Sequence, residues 1–167
     1  MTQSRSTETK AAAAPARPGP EHERLGIFAG RWNMQGRALE SPFGPSAPIT
    51  AAQDYEWLAG GLFLVHRLYG RMGGDEIACV EVIGYDPLAG HYTIDSFYNN
   101  GTRNVWRLEG DGRTWTISGS WPVDGEKVQA RCTTAFDASG RSARGTWEYS
   151  RDGVRWQPFW ETELSRA

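Results

Sequence analysis

The chain has 167 residues, which suits one domain long enough to bury a core. Its 18 Lys and Arg against 20 Asp and Glu leave a formal charge of -2, so the basic footprint of a phosphate-backbone binder is missing and nucleic acid is not an expected partner. Aromatics supply 12% of residues, with eight Trp, and 20 residues are Gly; many short strands joined by tight turns have this composition, which favours an all-β fold.

The first 20 residues carry Ser, Thr, Lys and an Ala/Pro stretch but no apolar run of signal-peptide or membrane-span type. They read as a disordered tail ahead of a domain covering residues 21–167, and no membrane partner is expected. Pro20 opens a short helix with Leu25, Ile27 and Phe28 on its apolar side, and Gly30 ends it. From Arg31 the hydrophobic period becomes two. Ten strands follow: Arg31 to Leu39, Thr50 to Leu58, Leu62 to Tyr69, Glu76 to Tyr85, His91 to Asn99, Thr102 to Glu109, Arg113 to Trp121, Glu126 to Phe136, Ser142 to Tyr149, and Val154 to Leu164. Gly60-Gly61, Gly73-Gly74-Asp75, Asp86-Pro87, Asn100-Gly101, Asp111-Gly112, Asp124-Gly125, Ser139-Gly140 and Asp152-Gly153 supply turn chemistry between them. The one long connection, Glu40 to Ile49, holds Pro42, Pro45 and Pro48 and reads as a flap over one end of the sheet.

Hairpin register assigns faces, because residues paired across a tight turn share a side of the sheet. Reading Asn100-Gly101 as a two-residue turn pairs Asn99 with Thr102, Phe97 with Asn104, Asp95 with Trp106 and Thr93 with Leu108, all inward. Tyr92, Ile94, Arg103, Arg107 and Glu109 then face solvent. Asp111-Gly112 carries the inward face on to Trp115 and Ile117. At the last hairpin Tyr149 pairs with Val154, which sets Trp147 beside Trp156, with Trp160 joining them. Asp86-Pro87 pairs Tyr85 with His91 and places Glu81 across from Asp95; Gly73-Gly74 then brings in His66.

The expected lumen therefore holds a polar group, His66, Glu81, Asp95 and Asn104, within a wall of Phe97, Trp106, Trp115, Trp147 and Trp156. A few convergent polar atoms on an apolar wall describe a site for a small hydrophobic or aromatic molecule. In an enzyme reading (a cyclase, isomerase or lyase), Asp95 with His66 or Glu81 would serve as acid and base. A third reading is a filled barrel acting through its outer surface.

His22, His66 and His91 are scattered, so no metal site is expected. The sequence has no G-x-S-x-G elbow, P-loop, dinucleotide fingerprint or C-x-x-C pair, and no cofactor is expected. Cys79 and Cys132 lie within strand-like runs and define no disulfide framework, which fits a reducing, cytoplasmic setting.

Gly30-Arg31-Trp32, directly after a short helix and opening the first strand, resembles the G-x-W signature of the calycins. With Leu25, Leu58-Ala59-Gly60-Gly61-Leu62 and Gly84-Tyr85-Asp86-Pro87, the stretch from Glu21 to Leu164 resembles a bacterial lipocalin-like family, domain-of-unknown-function family 1579. The resemblance implies an antiparallel up-and-down β-barrel of roughly ten strands. It also implies a structural role for Trp32, with a cation near the chain end, Arg155 or Arg166, packed on its ring. A haem-binding barrel of the nitrobindin kind would offer a His from its C-terminal region; none follows His91, so haem is not expected. A homodimer is among the assemblies the sequence allows.

Overall fold

A computed structural model describes residues 17–123 and 125–167. Most of the expected N-terminal tail, residues 1–16, lies outside the described residues. The elements run α1 (Pro20–Leu25), β1 (Gly30–Ala38), β2 (Ala47–Trp57), β3 (Phe63–Met72), β4 (Asp75–Asp86), β5 (His91–Tyr98), β6 (Arg103–Gly110), β7 (Thr114–Val123), β8 (Glu126–Phe136), β9 (Ser142–Ser150) and β10 (Gln157–Arg166). Each strand pairs antiparallel with the next, and β1 pairs with β10, so the sheet closes into a ten-stranded barrel without a free edge. Among the described residues, no helix is long and apolar enough to cross a membrane.

The helix plugs one end. Pro20 stands in its first turn, and the Gly19 N–H donates to His22 Nδ1 at 3.0 Å. Tyr92 Oη donates to the Glu21 carbonyl at 2.8 Å and ties the helix to β5. Leu25 is fully buried beneath it, and Phe28 packs edge-on against Trp115 and Phe136. Pro18, ahead of the helix, lies against Gly61 of the β2–β3 connection. A chain starting at Glu21 is therefore expected to be less stable than one starting at residue 17 by about 1 kcal/mol, the worth of a helix cap, measured by urea midpoints.

The Gly30-Arg31-Trp32 step acts as the resemblance implied. Trp32 is 2% exposed and its Nε1 donates to the Phe28 carbonyl at 2.7 Å. The Arg166 guanidinium lies 4.1 Å above the Trp32 ring and donates to the carbonyls of Ile27 and Ala29. Gly30 has φ +108°, and a Cβ there would fall 2.7 Å from Arg166 Nη1, so both the backbone and the cation require glycine. Of the two candidate cations, Arg166 takes this place; Arg155 instead bonds Asp152 at 2.9 Å.

Two hairpins correct the expected faces. Gly101 donates to the Tyr98 carbonyl, Tyr98 N–H donates to the Thr102 carbonyl, and Gly101 has φ +83°: a three-residue loop with a bulge rather than a two-residue turn. Ile94 therefore pairs with Trp106, Asp95 with Val105, and Phe97 with Arg103. Across Asp86–His91, closed by Gly90 N–H on the Asp86 carbonyl, Glu81 pairs with Ser96 and Val82 with Asp95. Both loops differ from expectation by one residue, which reverses β5: Tyr92, Ile94, Ser96 and Tyr98 face inward. At Asp111-Gly112 the register differs by two, pairing Leu108 with Ile117, and the faces survive.

The last hairpin is also longer than expected. The Asp152 carboxylate accepts the N–H groups of Val154 and Arg155, holding the chain in a turn until Gln157. A bulge at Phe159 then sets Trp160, not Trp156, against Trp147. Trp156 lies on the outer wall beneath Arg131, 4.1 Å from guanidinium to ring centre.

Candidate functional site

The barrel interior is closed by the helix at one end and flanked by the long β1–β2 connection at the other. At the helix end Leu25, Trp32, Leu64, Tyr92, Leu108, Trp115 and Phe136 are buried in one continuous cluster. At the other end, inward-facing Leu68, Met72, Ile77, Tyr98, Asn104, Trp121, Trp147 and Trp160 remain only half-buried. Part of this inward-pointing surface is left uncovered at this end. The long β1–β2 connection covers part of this mouth, with Phe43 against Tyr149, Phe159 and Trp121 at 4.9, 5.2 and 5.5 Å.

Between the two ends sits a polar group. The Gly73-Gly74 hairpin sets His66 of β3 directly across from Glu81 of β4. His66 Nδ1 lies 2.8 Å from Glu81 Oε2, and Ser96 Oγ donates to Glu81 Oε1 at 2.7 Å. On the next strand Tyr55 pairs with His66 and stacks flat on its ring, centroids 4.0 Å apart, while its hydroxyl donates to Gln53 Oε1 at 3.0 Å. Gln53 Nε2 in turn donates to Met34 Sδ at 3.0 Å. Cys79 and Cys132 complete the ring of polar and sulfur atoms, both as buried free thiols.

Glu81 is the charge that organises this group. Burial pushes its carboxyl upward, yet the hydrogen bonds from His66 and the Ser96 hydroxyl outweigh burial and hold it below the ordinary carboxylate value. An ionised carboxylate only accepts, so His66 Nδ1 carries the hydrogen between them. Burial first, then the Glu81 charge, pushes the phenols of Tyr55 and Tyr98 and the thiol of Cys79 upward, and burial pushes Cys132 up to about 12 against a bond from Thr134. Near neutral pH the hydroxyls and thiols are therefore hydrogen donors around one anion.

Two observations bear on what this group can hold; the first it shares with Trp115 Nε1 in the sealed end, also buried without a partner. His66 is 5% exposed, and its Nε2 is buried with no hydrogen-bond partner. Leaving such an atom unsatisfied costs about 1 to 3 kcal/mol, so it calls for a partner. Glu81, deep in the barrel, keeps 14% of its side-chain surface uncovered, so water-sized space adjoins it. Grooves of about 290 and 350 Å³ on the outer wall and at the β9–β10 turn touch none of these residues.

The expected site residues divide accordingly. His66, Glu81, Asn104, Trp106, Trp115 and Trp147 face the lumen, with Trp115 in the sealed end and Asn104 at the mouth. Asp95, Phe97 and Trp156 do not: Asp95 is paired with Arg103 on the outer wall at 3.3 Å, and Phe97 is 47% exposed under the same arginine. Tyr55, Gln53, Ser96, Tyr98 and the two thiols were not expected.

The family model for DUF1579, a protein of unknown function, matches residues 17–166. The chain belongs to this family. Two solved structures share the DUF1579 chain's lipocalin-like fold. Rv2717c from M. tuberculosis aligns with 89% of this chain and 98% of its own, at TM-score 0.54 and 16% identity. The S-type phycobiliprotein lyase CPES from Guillardia theta aligns over 88% and 92%, at TM-score 0.56 and 11% identity. Comparison with curated proteins gives no match.

Proposed function

We propose that this DUF1579 barrel binds a small, largely apolar molecule, with its hydrophobic body among the mouth aromatics and one polar atom at His66. The observation that carries this reading is the His66 Nε2, buried inside the barrel without a hydrogen-bond partner. Glu81 and Ser96 fix the ring from behind, so a ligand atom meets a preorganised nitrogen and loses little on ordering it. Trp106, Trp147 and Trp160 supply the wall, with Trp147 6.2 Å from Trp160 and 5.6 Å from Trp106. That one protein of this fold is a phycobiliprotein lyase agrees with a lumen able to hold a small molecule.

1-Naphthol, a bicyclic aromatic with one hydroxyl, probes the site by tryptophan quenching. Saturable binding is expected, weakened roughly tenfold by Trp147→Ala and unchanged by Phe97→Ala on the outer wall. The reverse pattern, or no saturation, would count against a lumen site.

A second reading, an acid–base enzyme, draws on the His66–Glu81 bond of 2.8 Å, which holds a base in one tautomer with its second nitrogen free. Asp95 has no part in it. Turnover lost in His66→Gln with 1-naphthol binding retained would favour this reading.

A further inference from the structure

A second kind of chemistry meets on the same wall. One ring nitrogen of His66, the Sγ of Cys79 and a carboxylate oxygen of Glu81 all lie within 4.8 Å of one another. Strand geometry produces the convergence. Cys79 and Glu81 are alternate residues of β4 and so share its lumen face, and the β3–β4 register places His66 opposite Glu81 and Leu68 opposite Cys79. The three histidines are far apart in sequence, but the site needs only one of them; the fold brings it a thiol and a carboxylate.

Imidazole, thiolate and carboxylate form a donor set suited to zinc and neighbouring divalent ions, and three protein donors leave a fourth position for water or another ligand. The surroundings are those of an oriented site. Ser96 Oγ bonds the carboxylate oxygen Oε1 at 2.7 Å, and Tyr55 stacks on the imidazole and fixes its plane. All three donor residues are inside the barrel, with Cys79 8% and His66 5% exposed. His66 keeps a buried nitrogen that no protein group uses.

We propose that His66, Cys79 and Glu81 form a divalent transition-metal site in the barrel wall, suited to zinc, with its open position toward the lumen. On binding, the Cys79 S–H bond is replaced by a sulfur–metal bond and one proton leaves to solvent, while the His66 hydrogen stays on the ring nitrogen that does not take the metal; no electron is transferred. The site shares residues with the ligand reading but does not depend on an apolar ligand.

The test is a cobalt(II) titration of the full chain, reduced and without oxygen. A saturable thiolate-to-cobalt charge-transfer band in the near ultraviolet is expected, displaced by zinc. Cys79→Ser should abolish the band and Cys132→Ser should keep it, while Ser96→Ala weakens binding roughly 10- to 100-fold. Circular dichroism of the metal-free variants checks that each is folded, with Cys79→Ala standing in if Cys79→Ser is not. Absence of the band at saturating cobalt, its survival in the Cys79 variant, or its loss with Cys132→Ser would overturn the proposal. 1-Naphthol binding to metal-free protein separates the two readings, since either response can fail without the other.

Discussion

Trp32→Ala is expected to lower folding stability by about 3 to 5 kcal/mol, the range for truncating a large aromatic in a packed core. Trp32 is 2% exposed, meets Phe136 edge-on at 5.7 Å, and supports Arg166 on its other face. Its loss opens a cavity at the sealed end and unseats the cation that holds the Ile27 and Ala29 carbonyls. Trp156→Ala should cost only about 0.5 to 1 kcal/mol, the worth of an exposed cation–π contact, because Trp156 lies outside against Arg131. Urea unfolding of the two variants checks the contrast. Equal losses would mean that Trp32 is not the keystone of the sealed end.

Glu81→Ala is expected to be comparably severe, at about 3 to 5 kcal/mol, as for removing one partner of a buried pair. The variant strands His66 and frees the Ser96 hydroxyl, both buried, with nothing to replace the carboxylate. His66→Phe with Glu81→Gln should recover much of that loss, since the ring still stacks on Tyr55 and the amide still accepts from Ser96. Asp95→Asn, by contrast, should change stability by less than about 0.5 kcal/mol, because an exposed pair such as Asp95–Arg103 contributes little. It should also leave 1-naphthol binding unchanged. A large effect of Asp95→Asn on binding would restore the inward placement that its pairing with Val105 excludes.

The barrel was legible because nearly every turn is written in Gly, Asp or Asn and most strands alternate. The site was only half legible, and the reason lies in β5. Two loops, Asp86–His91 and Tyr98–Thr102, each differ by one residue from the turns expected. The errors fall on either side of β5 and cancel beyond it, so His66, Glu81 and Trp106 were placed inward correctly while Asp95 and Phe97 were reversed. A signal against that reversal was present: Tyr92 and Ile94 alternate with Thr93 and Asp95, and burial favours the first pair inward. Ser96 would have followed from them. Tyr55 and Gln53 become legible only through the register of the β2–β3 connection after Leu58, which pairs Tyr55 with His66.

The most direct measurement of the account is the nitrogen NMR spectrum of the His66 imidazole during titration with 1-naphthol. The ring should keep Nδ1 bonded to Glu81 while the Nε2 resonance shifts in step with saturation, as a ligand hydroxyl takes the place that no protein atom fills. Binding that saturates while both His66 nitrogens stay unmoved, or no saturable binding at all, would contradict the claim that this lumen is a ligand site centred on His66.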